Sequence, residues 1–563
     1  MAACGARRRE ALRTQSTLVV VLVAVTTITM GMAPLGASQG TEKTQQEPAT
    51  PALAPTEDRR ERNHRLPLDA DRPHDGVDRP DRLDDEAPVP RPNPNQRQAQ
   101  PAQGLAPDDP GCLPHPPIRI VDDAMFQLGP AVGVTNPTAA GTAEDPYVIE
   151  GWCITPQAPE IVEQAPFGPV ESAGIAIDHT EAHVVIRDNR IDGNAVDNPR
   201  VVTQQQVGID LVDAANVAIA NNTITNNDDG VVLDESSGTT IANNTITNNN
   251  DWGVYSYRSS GTTITNNTIT NNDFDGVFLD ESSGATIANN TITNNDWGVD
   301  LYRSSGTTIT NNTITNNNDD GVDLGASSGV AMRDNEFGSN GVRIGGYEAN
   351  HYQHSIQPSN TVNGEPLVYV RNQEDVHVEQ PAGQVILANT TNATVENVDV
   401  SDTSTGLQLG FTDNTTIANN TVTNNNFDGV LLYESSGATI ANNTITINDD
   451  GVLLYRSSGT TIATNTITNN NDDGVDLYDS SGVEVHQNNI HDNDDFGLEV
   501  FAGDTVHAEN NWWGAANGPS GGETDACTDA NADGDGDAIT TDDAEVCFDP
   551  WRTSPNPDAG AGG

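Results

Sequence analysis

GVYSYRSSGTTITNNTITNN, residues 253–272, is the stretch whose reading decides the fold: three short β-prone runs separated by S-S-G and N-N turn signals. It recurs. Aligning the glycine that opens it gives Gly208, Gly230, Gly253, Gly276, Gly298 and Gly321, then Gly406, Gly429, Gly451, Gly474 and Gly497, with spacings of 22 or 23 residues inside each block. No stretch carries a 3.6-residue apolar period, which excludes helical solenoids. In the unit from Gly230, Val231 and Leu233 alternate while Ile241 and Ile246 stand between polar neighbours. Only about four apolar side chains per unit point one way, too few to fold alone. Stacking removes the difficulty. With three short strands per turn, ~12 or more coils spaced ~4.8 Å apart lay Val, Leu and Ile on their equivalents, making a rod on the order of 60 Å with ends that need caps. The fold class is therefore all-β, a single-stranded solenoid.

The N-N pairs support the same geometry. Asn222, Asn244, Asn267, Asn290, Asn312, Asn420 and Asn443, each with its preceding asparagine, recur at one turn of the coil. Asn tolerates left-handed backbone angles, and identical amides one strand apart can bond as a ladder. The same pairs create N-x-T sequons, for example at Asn221, Asn243 and Asn266; Asn389 and Asn392 carry further ones outside the ladder.

The chain has 82 acidic and 25 basic side chains in 563 residues, a formal net charge of −57, and 5% aromatics. Nothing here would neutralise phosphates, so nucleic acid is excluded as a partner. Lys43 is the single lysine. A chain so acidic repels itself in dilute buffer, whereas at molar salt the Debye length falls to ~3 Å. The pattern predicts a salt-adapted, halophile-like protein.

Residues 1–37 place Arg7, Arg8, Arg9 and Arg13 ahead of an apolar run, Thr17 to Met32, followed by small residues. They read as a signal peptide of twin-arginine type, and the expected location is secreted, extracellular or at the cell surface, with no transmembrane anchor in the mature chain. Residues 38–110, rich in Pro, Gln, Asp and Arg, read as a disordered linker. The simplest pairing of the cysteines outside the leader is local, Cys112 with Cys153 and Cys527 with Cys547, among three possible connectivities. From there the divisions are an N-terminal cap at 111–173, repeats at 174–340, an insert with irregular coils at 341–405, repeats at 406–513, and a C-terminal cap and tail at 514–563.

The repeats, the segment DPYVIEGWCI at 145–154, the insert NTVNGEPLVYV at 360–370 with GQVILANTTNATVENVDV at 383–400, and the closing NNWWGAANGPSGG at 510–522 resemble the right-handed parallel β-helix superfamily, pectin-lyase-like in architecture. Within it the resemblance is to NosD-type periplasmic or surface proteins, named for a copper-related maturation factor. The superfamily implies polysaccharide lyases, hydrolases and epimerases as one class of function, and a copper-site maturation factor as another. Copper would want convergent His with Met or Cys. Past the leader the methionines are Met125 and Met332, and the histidines at the places where the repeat pattern fails are scattered: His179 and His183, His351 and His354, His486 and His491.

Two stripes run along the outside. Glu235, Arg258, Glu281 and Arg303, then Glu434, Arg456 and Asp479, alternate in charge and read as a register device, with no catalytic residue among them. Before each coil glycine lies an aromatic and acidic stripe whose members Trp252, Phe274, Asp275, Trp297, Phe427 and Asp428 are the candidate ligand residues. Exposed in line, they would stack sugar rings. Near the C-terminus Asp529, Asn531, Asp533, Asp535 and Asp537 match the start of an oxygen-ligand calcium loop, although Thr540 stands where the bidentate Glu belongs. The functional expectation is a non-catalytic binder of glycans or cell-envelope components, without a cofactor other than this calcium. Its rival is an enzyme acting on acidic polysaccharide, which would show carboxylates converging where the repeat is broken.

Overall fold

Each coil of the computed structural model has three strands, in the central unit Val254–Tyr257, Thr263–Thr265 and Thr268–Thr270, and hence three faces. The structure describes residues 112–156, 172–193, 206–379 and 381–562; the expected signal peptide at 1–37 and the expected linker at 38–110 lie outside the described residues. Equivalent strands pair in parallel and in register. Val231 lies opposite Val254, Val254 opposite Val277, and Ile246 opposite Ile269, so like sits on like along the stack. Val231, Val254, Val277, Leu279, Ile264 and Ile269 are fully buried. At ~25 cal/mol per Å² of apolar surface removed from water, this continuous column is the main stabilising contribution.

Sequence fixes the coil boundaries physically. A Cβ on Gly253 would stand 2.6 Å from the Gly276 carbonyl oxygen and 2.7 Å from Ile269 Cγ2, so the neighbouring coil approaches too closely for any side chain. The N-N turn divides its work between two residues. The first asparagine, such as Asn243 or Asn266, takes a left-handed conformation (φ 57° and 56°) and is exposed. The second is buried. The Asn244 amide donates to Asn267 Oδ1 at 3.0 Å and to the Ile219 carbonyl at 2.9 Å, and Asn267 repeats the pattern on Asn290. A second ladder, Asn249 to Asn272 to Asn295, occupies the next turn. A serine ladder closes the third corner, where the Ser236 N–H donates to Ser259 Oγ and the Ser259 N–H to Ser282 Oγ. The expected amide ladder is thus present, joined by two further columns.

The segment 111–173 does more than cover an end. Ile118–Ile120 pairs with Ser172–Thr180, Tyr147–Glu150 with Val184–Arg187, and Leu113–His115 with Trp152–Ile154, which form the first rungs. Across them lies the 3-10 segment Asp123–Val132, whose Phe126 is buried and stacks on Tyr147 with ring centroids 4.5 Å apart. At the other end Gly536–Asp542 adds a strand beside Leu498–Gly503, Val546–Cys547 adds one beside Val506–His507, and Trp513 is buried. Cys112 is disulfide-bonded to Cys153 and Cys527 to Cys547.

The rod expected from the repeats is two stacks. Among the described residues the first face of the N-terminal stack holds nine strands, and it ends at Val342–Gly345. The chain then turns, Thr361–Val362 pairs antiparallel with Glu365–Arg371, and the latter starts a second stack with reversed strand direction. Two glutamines explain how the first stack can stop. Gln384 accepts from the Val342 N–H at 2.9 Å and donates to the Val342 carbonyl at 2.8 Å, while Gln408 accepts from the Ile344 N–H at 3.2 Å and donates to its carbonyl. Both are fully buried, and their primary amides stand in for the peptide groups of a missing next strand. Tyr352 stacks on Tyr433 of the second stack, and the Asn426 amide donates to the carbonyls of Asn318 and Asp319. The insert is a junction in which one stack ends on the flank of the other.

Candidate functional site

The first face carries the outward residues that change most along the stack. From Val232 the register runs to Tyr255, Phe278, Asp300, Asp323 and Arg343, each opposite the next on neighbouring strands. Rings give way to carboxyls and then to one guanidinium at the junction. Trp252 joins the aromatic end, stacked on Tyr255 at 4.8 Å and lying 6.0 to 6.1 Å from Phe278 and Phe274, with its Nε1–H donated to Asp275 at 3.0 Å.

Arg343 is 7% exposed and lies 3.7 Å from Asp320, its guanidinium 4.9 Å from the centre of the Phe427 ring. Asp319, Asp320 and Asp323 approach it from the N-terminal stack and Asp428 from the C-terminal one. Burial dominates the titration of this group. It pushes Asp320 up to about 8 and Asp428 to about 6, against the pull of Arg343. Asp319 is pushed up to about 7 by burial and by Asp296. Asp300 is raised well above the usual carboxylate range, by burial first and then by Asp323, Asp275 and Asp320. Asp300 and Asp319 remain half-exposed at the edge of this buried group. Asp450 and Asp473 continue the pattern on the second stack, Asp473 pushed up to about 9 by burial and the neighbouring Glu499.

The candidate stripe does not lie exposed in line. Trp252, Asp275 and Asp428 are buried and Phe274, Trp297 and Phe427 half-buried, because the turns of adjacent coils pack on one another and Arg343 covers the Phe427 ring. Two of its members, Phe427 and Asp428, meet the N-terminal stack at the junction; Trp252, Phe274 and Asp275 belong to the aromatic end. Asp319 and Asp320 occupy the stripe positions before Gly321, outside the candidate ligand residues, whereas nothing in the repeat pattern points to Asp300, Asp323 or Arg343. The available signals were an arginine where preceding coils place aspartate and a glycine spacing that shortens to 20 between Gly321 and Gly341.

The charged stripe pairs as its alternation implies: Arg258 Nε lies 2.8 Å from Glu281, and Arg456 lies 3.4 Å from Asp479. All these residues occupy left-handed turn positions, φ 48–50° for Glu235, Arg258, Glu281, Glu434, Arg456 and Asp479. The calcium-loop residues are spread out. Asp537 accepts from the backbone of Asp492 and Asn493 and from the Asn493 amide, ending the asparagine ladder, while Asp535 accepts from Asn517. Asp529 and Asp533 are exposed, and among the described residues no group of three or more carboxylate, imidazole or thiol ligands within 4.8 Å includes any of the four aspartates. Of the scattered histidines, His354 is fully buried, with burial lowering it to about 4, and its Nε2 lies 2.7 Å from the His351 carbonyl, a packing role.

Stacked three-faced coils with in-register columns and amide ladders define a parallel β-helix. The family model described as the right-handed β-helix region matches residues 207–364 and 383–522, and the chain belongs to that family. No curated protein matches it. Similar solved structures include a mutant of the periplasmic alginate epimerase AlgG, 13% identical over 72% of this chain and 84% of that one with a TM-score of 0.23. Another is the A-module of the Azotobacter vinelandii mannuronan C-5 epimerase AlgE6, 15% identical over 71% and 88% with a TM-score of 0.24. Pectate lyase Pel9A is 10% identical over 70% of each chain, with a TM-score of 0.19. These likenesses concern the fold.

Proposed function

We propose that this protein is an exported β-helix that binds neutral glycan along the first face of its N-terminal stack, from the Phe278 ring to the carboxyls at the junction. The observation that carries the reading is the register Tyr255–Phe278–Asp300–Asp323 on one flat face. Aromatic rings take the C–H faces of sugars and carboxyl groups take their hydroxyls. The Asp300 carboxyl, which burial raises well above its usual range, accepts from sugar hydroxyls and in its protonated form also donates, which suits hydroxyl recognition. Charge narrows the ligand. The chain's formal net charge of −57 creates a field that opposes polyuronates, in contrast to the acidic polysaccharide expected of the rival enzyme. Two disulfides and the arginine-led apolar N-terminus support export.

Affinity electrophoresis against neutral glucans and mannans, with alginate and polygalacturonate as comparison, tests this. Retardation by a neutral polymer that Phe278→Ala and Asp300→Asn abolish is expected. Preference for a polyuronate, or binding indifferent to both changes, would overturn it.

A second reading rests on Asp300 and Asp323 being register partners. Neighbouring strands ~4.8 Å apart place the pair close to the ~5 Å carboxyl separation of retaining glycosidases, with Asp300 raised as an acid requires. Reducing-sugar release from the bound polymer by the unaltered chain would select it.

A further inference from the structure

The C-terminal end brings together four metal-ligating side chains that neither the glycan reading nor the calcium-loop expectation uses. His507 and Cys547 are register partners on the paired strands Val506–His507 and Val546–Cys547. Glu509 follows His507 by two residues, its Oε1 3.2 Å from His507 Nδ1, and Cys527 reaches Cys547 through the disulfide. One ligand atom from each of the four lies within 4.8 Å of all the others. His507 and Cys527 are exposed, and His507 and Glu509 line an open cavity of about 470 Å³ together with Glu484, His486 and Asp549, so an ion has a path of entry.

We propose that Cys527, Cys547, His507 and Glu509 form a tetrahedral zinc site in the reduced chain, a site that the Cys527–Cys547 disulfide closes. Two thiolates, an imidazole and a carboxylate are a donor set matched to Zn²⁺, with bonds of about 2.0–2.3 Å. Oxidation and occupancy exclude each other because a disulfide sulfur has no thiolate charge to offer. The chemistry balances. A phosphine reductant and one water convert the S–S bond to two thiols and the phosphine to its oxide, and Zn²⁺ then displaces both thiol protons to solvent.

What makes the site pre-organised is Asp525. Its carboxylate accepts from the Cys527 N–H at 2.9 Å, from the Thr528 N–H and hydroxyl at 2.6 and 2.9 Å, and from the N–H groups of Phe548 and Asp549. The Ala526 N–H adds a bond to the Val546 carbonyl at 3.0 Å. One carboxylate thus ties the loop carrying Cys527 to the strand carrying Cys547. Cutting the disulfide leaves the two sulfurs held as neighbours.

The test uses the full chain with Cys4, Cys112 and Cys153 changed to serine, so that one pair remains, reduced under nitrogen with a phosphine and titrated with Co²⁺ and then Zn²⁺. The expected result is one Co²⁺ per reduced chain with a thiolate charge-transfer band and tetrahedral d–d bands, displaced by Zn²⁺, and no such bands for the oxidised chain. His507→Ala is expected to weaken Zn²⁺ binding by at least about tenfold. Should the triple substitution prevent folding, the Cys4→Ser chain and its Cys527→Ser/Cys547→Ser derivative give the same comparison. Co²⁺ bound without a thiolate band, equal binding in oxidised and reduced chains, or indifference to His507→Ala would overturn the site. Loss of hydrogen-exchange protection at Phe548 and Asp549 on reduction would overturn it too.

Discussion

The side chain of Gln408 bonds to both backbone polar groups of Ile344, 64 residues earlier, accepting from its N–H and donating to its carbonyl. A β-helix leaves a row of unpaired peptide groups at each end. Here part of that row is met by side-chain amides of the following stack. Replacing Gln384 and Gln408 together by Leu keeps much of the volume and removes four hydrogen bonds to a buried edge. Each orphaned buried group costs about 1–3 kcal/mol. Amide exchange at Val342 and Ile344 should accelerate by orders of magnitude while Val254 and Val277 stay protected. Unchanged exchange at Val342 would show that the glutamines do not hold the junction.

The N-N turn separates two asparagine chemistries one residue apart. Asn267 is buried and bonds to Asn290 and Ile241, so Asn267→Ala should cost about 2–3 kcal/mol from the buried groups it strands. Asn266 is exposed with φ 56°, and its cost should be backbone strain alone, about 1 kcal/mol for Asn266→Ala and little for Asn266→Gly. Urea midpoints of the three variants check the order. Equal loss at both positions would mean the ladder contributes nothing beyond the turn.

This division shows how far the chain can be read. Repeats such as GVYSYRSSGTTITNNTITNN specify columns because each residue type answers one local demand: Val and Ile for the core, Gly253 for close approach, Asn for the turn. The junction is not periodic, so that logic gives no hold on it. Gln384 and Gln408 look like ordinary polar positions of irregular coils, and Arg343 resembles one more member of an outward column. The glutamines' roles come from contacts 42 and 64 residues away in the chain and part of Arg343's from Phe427, between surfaces whose meeting is set by one antiparallel turn at Thr361–Val362. The candidate stripe failed as an exposed line for a related reason. Period alone does not tell an exposed aromatic from one covered by the next coil, as Trp252 is.

Asp320 sets a pH dependence. Its carboxyl ionises near 3.8 in the unfolded chain and at about 8 in the folded one, because burial penalises the charge. Between those values the unfolded state binds fewer protons than the folded state, so stability falls as pH rises from about 4 to about 8 and levels off above. Asp319 and Asp428, raised to about 7 and about 6, add the same sign over narrower windows. Asp320→Asn should therefore flatten the urea midpoint over this range. A midpoint that climbs toward pH 8 would contradict the burial of these carboxyls.

The last expectation joins this cluster to the whole chain. With a formal net charge of −57, like charges repel throughout the folded molecule, and the stacking places equivalent carboxylates on neighbouring strands. Raising salt from 0.1 to 1 M shortens the Debye length from about 10 to about 3 Å, below the strand spacing of ~4.8 Å. Repulsion between exposed rungs is then screened, whereas the pairing of Arg258 with Glu281 contributes at most about 1 kcal/mol and has little to lose. The thermal midpoint should rise steeply up to about 1 M and alike for NaCl and KCl, then flatten. A midpoint independent of salt below 1 M, or one that falls, would mean that attractive pairs rather than net charge govern the electrostatics of this helix.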